Sequence, residues 1–342
     1  MVNLMSQHFL LSKASRNLSL ASIMQMSDAD VFDTFKKLRW GESDKQVCPC
    51  CASVNKHFFI KSRMQWRCRD CTHTFSVTSG TVFSTHKMPI RVILLSILLF
   101  VHAAKGLSAL QLSRHLDVQY KTAYVLFHKL RDALWRTRDT SPLQGKVEMD
   151  GGYFHSYVRP KNKKVDRVDR RLRFNLNPMK RSILVMRERG EVGQGAKRTI
   201  VDVIKHENER DVGALTHKYV MAGTTIYADE HPSYAALAAR HPVKQVNHQE
   251  EYCADDGTNQ NQAESFFGRM RRLVTGQIHK CDPKYLLFYS HEIAWREDYR
   301  RQDSNWLFYD LFRRCLHAPQ SRNWTKYWQG NHLVGDTMFV AD

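Results

Sequence analysis

No apolar run in this 342-residue chain is long enough to cross a bilayer: the longest, Val92 to Ala104, falls short of the roughly 20 residues a spanning helix requires and lies between polar flanks. It reads as a buried helix. No secretory leader is expected either, because Lys13 and Arg16 precede neither an unbroken apolar core nor a small-residue cleavage site. No membrane partner is expected, and the cytoplasm is the default compartment. Acids are scarce too, with 34 Asp and Glu against 52 Lys and Arg, a net charge of +18 and a pI near 9.6. Solubility needs far less charge than that, so the excess points to a polyanionic partner, with ribosome association and plain surface charge as the bland alternatives. Residues 1–26 contain no acid and no clear period, and no structure is assigned to them.

A mean hydropathy of −0.50 with 42% apolar residues is ordinary for a globular protein of two or three cores. Eight cysteines are present, four of them in two tight pairs, which fits metal ligation in a reducing compartment better than a disulfide framework. Cys48 and Cys51 form one C-x2-C knuckle; Cys68 and Cys71 form the other across a β-rich interval. Two such knuckles close a tetrahedral thiolate cage for structural Zn²⁺ within a zinc ribbon. Cys50 reads as a bystander, although an exchange with Cys48 or Cys51 stays open.

Ahead of the ribbon, DADVFDTFKKLRW places Val31, Phe32, Phe35 and Leu38 on a helical stripe with acids first and bases last, as the helix dipole prefers. After Pro89 the period is helical again, and Ser108 to Trp135 reads as helix, turn, helix: LSALQLSRHL, DVQY, then KTAYVLFHKLRDAL with bases at its start and on its exposed face. A second helix of this kind lies in the major groove of DNA; a plain helical hairpin is the alternative. From Lys146 the pattern becomes strand-like. VEMDGGYF, RSILVMRERG, KRTIVDVIKHE and TTIYADE read as strands, DVGALTHKYV and SYAALAAR as helices, KQVNHQEEY as a further strand and NQNQAESFFGRMRRL as a closing helix, a mixed α/β sheet domain. Between the first two strands, RPKNKKVDRVDRRLRFNLNPMKR reads as a basic, mobile loop touching phosphates. The aromatics after Asp282 are expected to pack as core against the sheet.

Three acids stand out. Asp150 interrupts the first strand, Asp229 follows the fourth, and Glu264 lies on the closing helix, with Asn261 one turn before it, Phe267 one turn after it and Arg271 about two turns after it. Carboxylates brought together repel unless cations neutralise them, and oxygen-only ligands favour Mg²⁺ or Mn²⁺. Such a site could hold two ions about 3.5–4 Å apart and drive in-line attack at a phosphodiester. Asn261 is read either as an auxiliary phosphate contact or as a helix-terminal residue, Arg271 as facing DNA, Glu230 as a helix-start group, Arg269 and Arg272 as a solvated face, and His231 and His248 as structural.

These motifs, CPCC, WRCRDCTHTFSVTSGTVF, the KGLSALQLSRHLDVQYKTAYVLFHKLRDAL stretch, VEMDGGYF, YADEHPSY, VNHQEEY and NQNQAESFFGRMRRL, resemble those of the DDE transposases of bacterial insertion sequences, a family related to eukaryotic Merlin elements. The resemblance runs from about Asp28 to Arg301. It implies an α/β RNase H-like catalytic core with an N-terminal zinc ribbon and an all-α helix-turn-helix domain, divided as 1–44, 45–87, 88–143, 144–301 and a tail at 302–342. It also implies catalytic Asp150, Asp229 and Glu264 with Mg²⁺, structural Zn²⁺, double-stranded DNA partners (transposon ends and target), a homodimer or higher oligomer on DNA, and a nucleoid-associated location. One position departs: a lysine usual in the family is Arg271 here, a wider planar donor. Two other functions are compatible with the same motifs, an inactive or domesticated DNA-binding regulator and an RNase H-type nuclease.

Overall fold

The structure, a computed structural model, describes residues 9–340 except 44, 156–158, 170–171, 173–174, 176, 192–194 and 247–260. His248 and most of VNHQEEY therefore lie outside the described residues. The chain divides into two compact units: one holds the chain up to Thr137 together with Arg301–His332, the other Arg138–Arg300 and the segment from Leu333. Among the described residues, no helix is long and apolar enough to cross a membrane.

The first unit is built on helices. Helix α1 (Leu20–Gln25) and helix α2 (Asp28–Trp40) both begin at a serine capping box, Ser19 with Ser22 and Ser27 with Asp30, so orphan amides are satisfied before either helix is fully wound. Three short antiparallel strands, β1 (Phe58–Ile60), β2 (Gln65–Arg67) and β3 (Thr74–Phe75), form the ribbon. Trp66 on β2 ties it to α2, with Phe32 and Trp40 at ring-centroid distances of 5.6 and 5.1 Å. The apolar run then forms α3 (Ile90–His102), followed by α4 (Ala109–Leu116) and α5 (Tyr120–Arg136). Ser108 caps α4 by accepting from the Gln111 amide, and Asp117 ends it in the left-handed region, leaving a three-residue connection to α5.

Two expectations change here. Only the ends of α5 present their bases to solvent, at Lys121 and Arg136; Arg131 is 2% exposed among core side chains, its guanidinium 5.5 Å from the Phe127 ring, and Lys129 is largely enclosed, which lowers its ammonium pKa to about 8. The helical period was read correctly, but it does not reveal that other segments of the same unit cover that face. The aromatics of the last sixty residues likewise divide. Helix α9 (Ser304–His317) packs on α2, α3 and α5, with Phe312 4.6 Å edge-on to Phe35, and not against the sheet. The reason is continuity of core: Phe308, Leu311 and Phe312 complete the helical unit.

The second unit is a five-stranded mixed sheet. Its strands are β4 (Lys146–His155), β5 (Lys180–Arg189), β6 (Ala196–Ile204), β7 (Thr225–Asp229) and β8 (Val243–Val246), in the order β6-β5-β4-β7-β8. The first three are antiparallel; β7 and β8 add in parallel to β4. One face, carrying Val147, Met149, Ile226 and Ala228, is covered by α6 (Glu209–Tyr219) and by Pro232–Ala239. The latter segment is a 3₁₀ helix, not the expected α-helix; Pro232 sits at its start, and the His231 side chain caps it by accepting from the Ser233 amide. The opposite face meets α7 (Asn261–Leu273) and α8 (Pro283–Asp298).

Buried charge fastens that second layer. Asp298 at the end of α8 accepts from the Thr199 amide (2.9 Å) and hydroxyl (2.6 Å), and burial pushes its carboxyl up to about 7 from an ordinary 3.8. A carboxyl raised on folding binds its proton more tightly in the native state, so native stability falls as pH climbs from near 4 through 7. Asp202, raised to about 6, acts in the same sense. The buried imidazole of His291, held well below its usual range, acts oppositely, losing stability as pH drops below 6.5. We expect Asp298→Asn to flatten the alkaline limb: urea midpoints compared between about pH 5 and about pH 8 should fall less in the variant than in the parent. An unchanged pH slope would show that Asp298 does not titrate there.

Candidate functional site

Four sulfurs form the first centre. Cys48 and Cys71 are 3.7 Å apart, Cys51 and Cys68 are 3.6 Å apart, and all four ligand atoms lie within 4.8 Å of one another. Thiolates at the usual zinc distance of about 2.3 Å stand about 3.8 Å from each other in a tetrahedron, so the cage already has the required size. The Cys71 backbone N–H draws the Cys68 thiol down to about 6, while Cys51 and Cys71 are raised, so without a cation the four close sulfurs do not all ionise together. Cys50, exposed and outside the group, is excluded as a ligand, which resolves the choice the sequence left open. Four cysteines with no open position mark a structural centre.

The second centre lies at one end of the mixed sheet. On β4, side chains alternate between faces, and Glu148, Asp150 and Gly152 share the α7 face. Strand β7 pairs in parallel with β4 at Lys146↔Thr225, Val147↔Ile226 and Glu148↔Tyr227. The pairing ends there; Asp150 and Asp229 each lie two residues beyond its last pair, on the same face of these neighbouring strands. Both are half-buried. Asp229 also organises the chain behind it, accepting from the His231 amide at 3.1 Å.

Helix α7 brings Glu264 to this face through groups that the motifs did not single out. The buried Glu148 carboxylate accepts from the amides of Gln262 (2.8 Å) and Ala263 (3.1 Å), satisfying the first turn of α7 and placing negative charge at its positive pole. Arg187, opposite Glu148 on β5, donates to the Gln262 carbonyl at 2.5 Å, and Arg189 pairs with Glu148 at 2.7 Å. Glu264 thus sits in an anchored first turn, exposed, immediately after two amides held by a β4 residue two positions before Asp150. Asn261 opens the helix and is exposed. Arg269 pairs with buried Glu297, which corrects its reading as solvated: the partner comes from α8, invisible in the local pattern. Arg271 is exposed, its guanidinium 5.8 Å from the Phe267 ring.

Phe267 explains the glycine pair beside Asp150. A Cβ at Gly152 would fall 2.2 Å from its ring, so only glycine lets α7 lie this close to β4. Gly152→Ala should force the helix outward, costing about 1–3 kcal/mol and moving Glu264 away from the aspartates. Thermal melts together with an activity assay check this; Phe267→Leu added to Gly152→Ala should recover part of both. Full activity in the single variant would mean that the spacing does not matter.

Gly151 faces the other way, where a Cβ would meet the Glu207 carboxylate at 2.2 Å. Glu207 accepts from the Tyr234 hydroxyl (2.6 Å), and its amide donates to the Tyr153 hydroxyl (3.1 Å). Burial pushes the Glu207 carboxyl up, with the charge of Asp229 adding to it, while Tyr234 and His231 pull it down. The Tyr234 phenol is raised by its own burial and by Glu207, Asp150 and Asp229, so these groups share one neighbourhood. Nothing in the KHE tripeptide foretold this. The signal for Glu148 was present: an acid amid the buried positions of an apolar strand must find a partner, and β5 ends in two arginines, Arg187 and Arg189.

Among the described residues, the four cysteines are the group of potential ligands that closes within 4.8 Å; Asp150, Asp229 and Glu264 do not draw in so tightly. Their donor set is oxygen alone, which fits hard divalent ions and excludes a zinc–thiolate site.

Comparison with known proteins bears on both centres. Residues 142–298 match the ISXO2-like transposase domain, and residues 26–74 match the transposase zinc-ribbon domain. The chain is similar to an uncharacterized protein in transposable element ISH50 of Halobacterium salinarum, 28% identical over 130 residues, 37% of this chain. It spans about two-fifths (42%) of that relative's length. A solved structure, the Mos1 transposase paired-end complex with left transposon end, aligns over 57% of this chain and 72% of its own at 15% identity, with a TM-score of 0.19, too slight an overlap for a fold to be read from it.

Proposed function

We propose that this chain, a transposase by its zinc ribbon and its ISXO2-like transposase domain, is an active DNA-cleaving and DNA-joining enzyme whose catalytic acids are Asp150, Asp229 and Glu264. The observation that supports the reading is the parallel pairing of β4 with β7, whose last pair, Glu148↔Tyr227, lies two residues before Asp150 and Asp229 on the face to which Glu148 fastens the first turn of α7. The sheet is read as an RNase H-like core, on its order of three antiparallel strands and two parallel additions beside the first. The helix pair α4–α5 is read as a helix-turn-helix that docks on the terminal inverted repeats. Two ends must be engaged together, so a dimer or larger assembly on DNA is expected.

Asp150, Asp229 and Glu264 would hold Mg²⁺ (or Mn²⁺). When bound, paired divalent ions activate an attacking oxygen and offset charge on the leaving oxygen of an in-line displacement. The protein's own contribution is placement. Glu148 and Arg187 fix where Glu264 stands, and Gly152 lets the helix approach. Tyr234 holds Glu207 beside the aspartates, while Asn261 and Arg271, both exposed on α7, contact the phosphates flanking the scissile bond. The exposed bases Lys161, Lys163, Lys164 and Arg167, between β4 and β5, supply sequence-independent attraction to the duplex.

The test uses DNA from either side of the coding region, which should hold a matched pair of inverted repeats bounded by a short direct duplication. Labelled duplexes of those ends, incubated with the zinc-loaded protein and Mg²⁺, should yield nicks exposing 3′ hydroxyls and then joined products. A shift of the duplex without any nick, with or without Mg²⁺, would identify a regulator. Cleavage that never joins would identify a nuclease.

A further inference from the structure

Within the first unit, a cavity of about 470 Å³ opens beside the start of α5. Its size falls in the ~300–1,000 Å³ range of small-ligand clefts. Four lysines, Lys87, Lys121, Lys129 and Lys326, contribute to its lining together with His86, and no acid does. The aromatic part comes from the segment after α9: Trp324, Tyr327 and Trp328. Trp324 is fully buried, stacked 4.4 Å on His128 and 5.7 Å from Tyr327, which makes that wall rigid. Trp328 stands 68% exposed at the edge, with the Lys87 ammonium 5.7 Å from its ring.

We infer that this cavity is a subsite for a single unpaired nucleotide, its base stacked on Trp328 and Tyr327 and its phosphate held by Lys87, Lys121 and Lys326. An aromatic face accepts any base, and ammonium groups bind phosphate as point charges without demanding a planar partner. A concave pocket of this volume admits one nucleotide and not a stacked pair, so a base inside a duplex cannot enter it. Its ligand is a nucleotide unit from a strand end or a displaced strand, or a free mononucleotide of the same chemistry. The enclosed Lys129 adds a cation that water screens poorly. The sequence hid this site because its walls, 83–93, 118–129 and 324–328, are far apart along the chain and its tryptophans look like core.

The inference rests only on the DNA-binding half of the preceding proposal. Fluorescence anisotropy of the full chain would compare a blunt duplex with the same duplex carrying a short single-stranded overhang, with 2-aminopurine in the overhang reporting stacking. The wild type should bind the overhang form roughly tenfold tighter and quench 2-aminopurine, as one base–aromatic stack allows. Trp328→Ala should bring the ratio of the two affinities close to one and restore the fluorescence, and Lys87→Gln should reduce the ratio. Both side chains are exposed, so neither change disturbs the core. Deoxyadenosine monophosphate displacing the quenched overhang at equal concentration would assign the pocket to free nucleotides; an overhang that resists it assigns the pocket to a DNA strand. Equal affinity for the two duplexes in the wild type, or an unchanged ratio in Trp328→Ala, overturns the inference. Loss of binding to every duplex would instead refute the DNA-binding proposal, and a 2-aminopurine oligonucleotide alone would then decide the pocket.

Discussion

Asp150→Asn, Asp229→Asn and Glu264→Gln, each alone, are expected to lower strand cleavage and joining by at least roughly a thousandfold, while duplex binding persists. The amides keep the volume and most hydrogen bonds of the acids but lose the charge that retains divalent ions. Loss of even about 4 kcal/mol of transition-state stabilisation is a thousandfold in rate. Groups that act as one unit are not additive, so a double variant should be scarcely worse than either single. Folding should be unaffected, since Asp150 and Asp229 are half-buried and Glu264 is exposed, none of them a core side chain. Single-turnover cleavage of labelled end DNA, with binding measured in Ca²⁺, separates chemistry from recognition. Wild-type nicking by Asp150→Asn would remove this aspartate, and with it the paired-strand argument, from the mechanism.

Removing zinc should have the second large effect, this time on folding. A chelator, or Cys48→Ser or Cys68→Ser, is expected to unfold the ribbon, because apparent zinc affinities of about 10–16 kcal/mol in small zinc domains are themselves folding free energy. Three strands of three, three and two residues cannot close a core without it. Trp66, 5% exposed and stacked among Phe32, Phe59 and Phe75, gives the signal: its emission should shift to the red as the aromatic cluster opens. One zinc per chain should be released in step with that shift. Cys50→Ser, outside the cage, should retain the metal and the native emission; zinc loss from that variant, or zinc retention by Cys48→Ser, would contradict the assigned ligand set.

The acid variants and the zinc variants also address different kinds of information in the chain. The ribbon was legible from spacing alone. Two C-x2-C knuckles leave few ways to arrange four thiolates around one ion, and local geometry does the rest. Helix ends are set as locally, although no cap was singled out from the sequence: Ser27, Ser108 and Asp282 each cap the helix they precede through short-range hydrogen bonds. The mixed sheet followed from alternation and turns, since a two-residue period is a property of the strand itself.

What failed were readings of which neighbour a side chain or helix face meets. Arg269 looked solvated until α8 supplied Glu297, and Lys129 looked exposed until neighbouring segments of its unit enclosed it. Helix α9 looked like a cover for the sheet, yet its apolar side completes a helical core formed by residues more than 170 positions earlier.

The sequence by itself determined the thiolate set except for the choice among Cys48, Cys50 and Cys51, the order of helices and strands from Asp28 onward, and the charge that calls for a polyanion. Each of these is fixed within a few residues or by composition. Tertiary structure alone decided that the strands of Asp150 and Asp229 are neighbours, that Glu148 and Arg187 anchor the turn carrying Glu264, that Glu207 approaches Gly151, and that lysines and tryptophans from distant segments line one cavity. The physical reason is range. Hydrogen bonds and periodicity act along the chain, whereas desolvation and close packing depend on which distant segment arrives, and only the folded core chooses that partner.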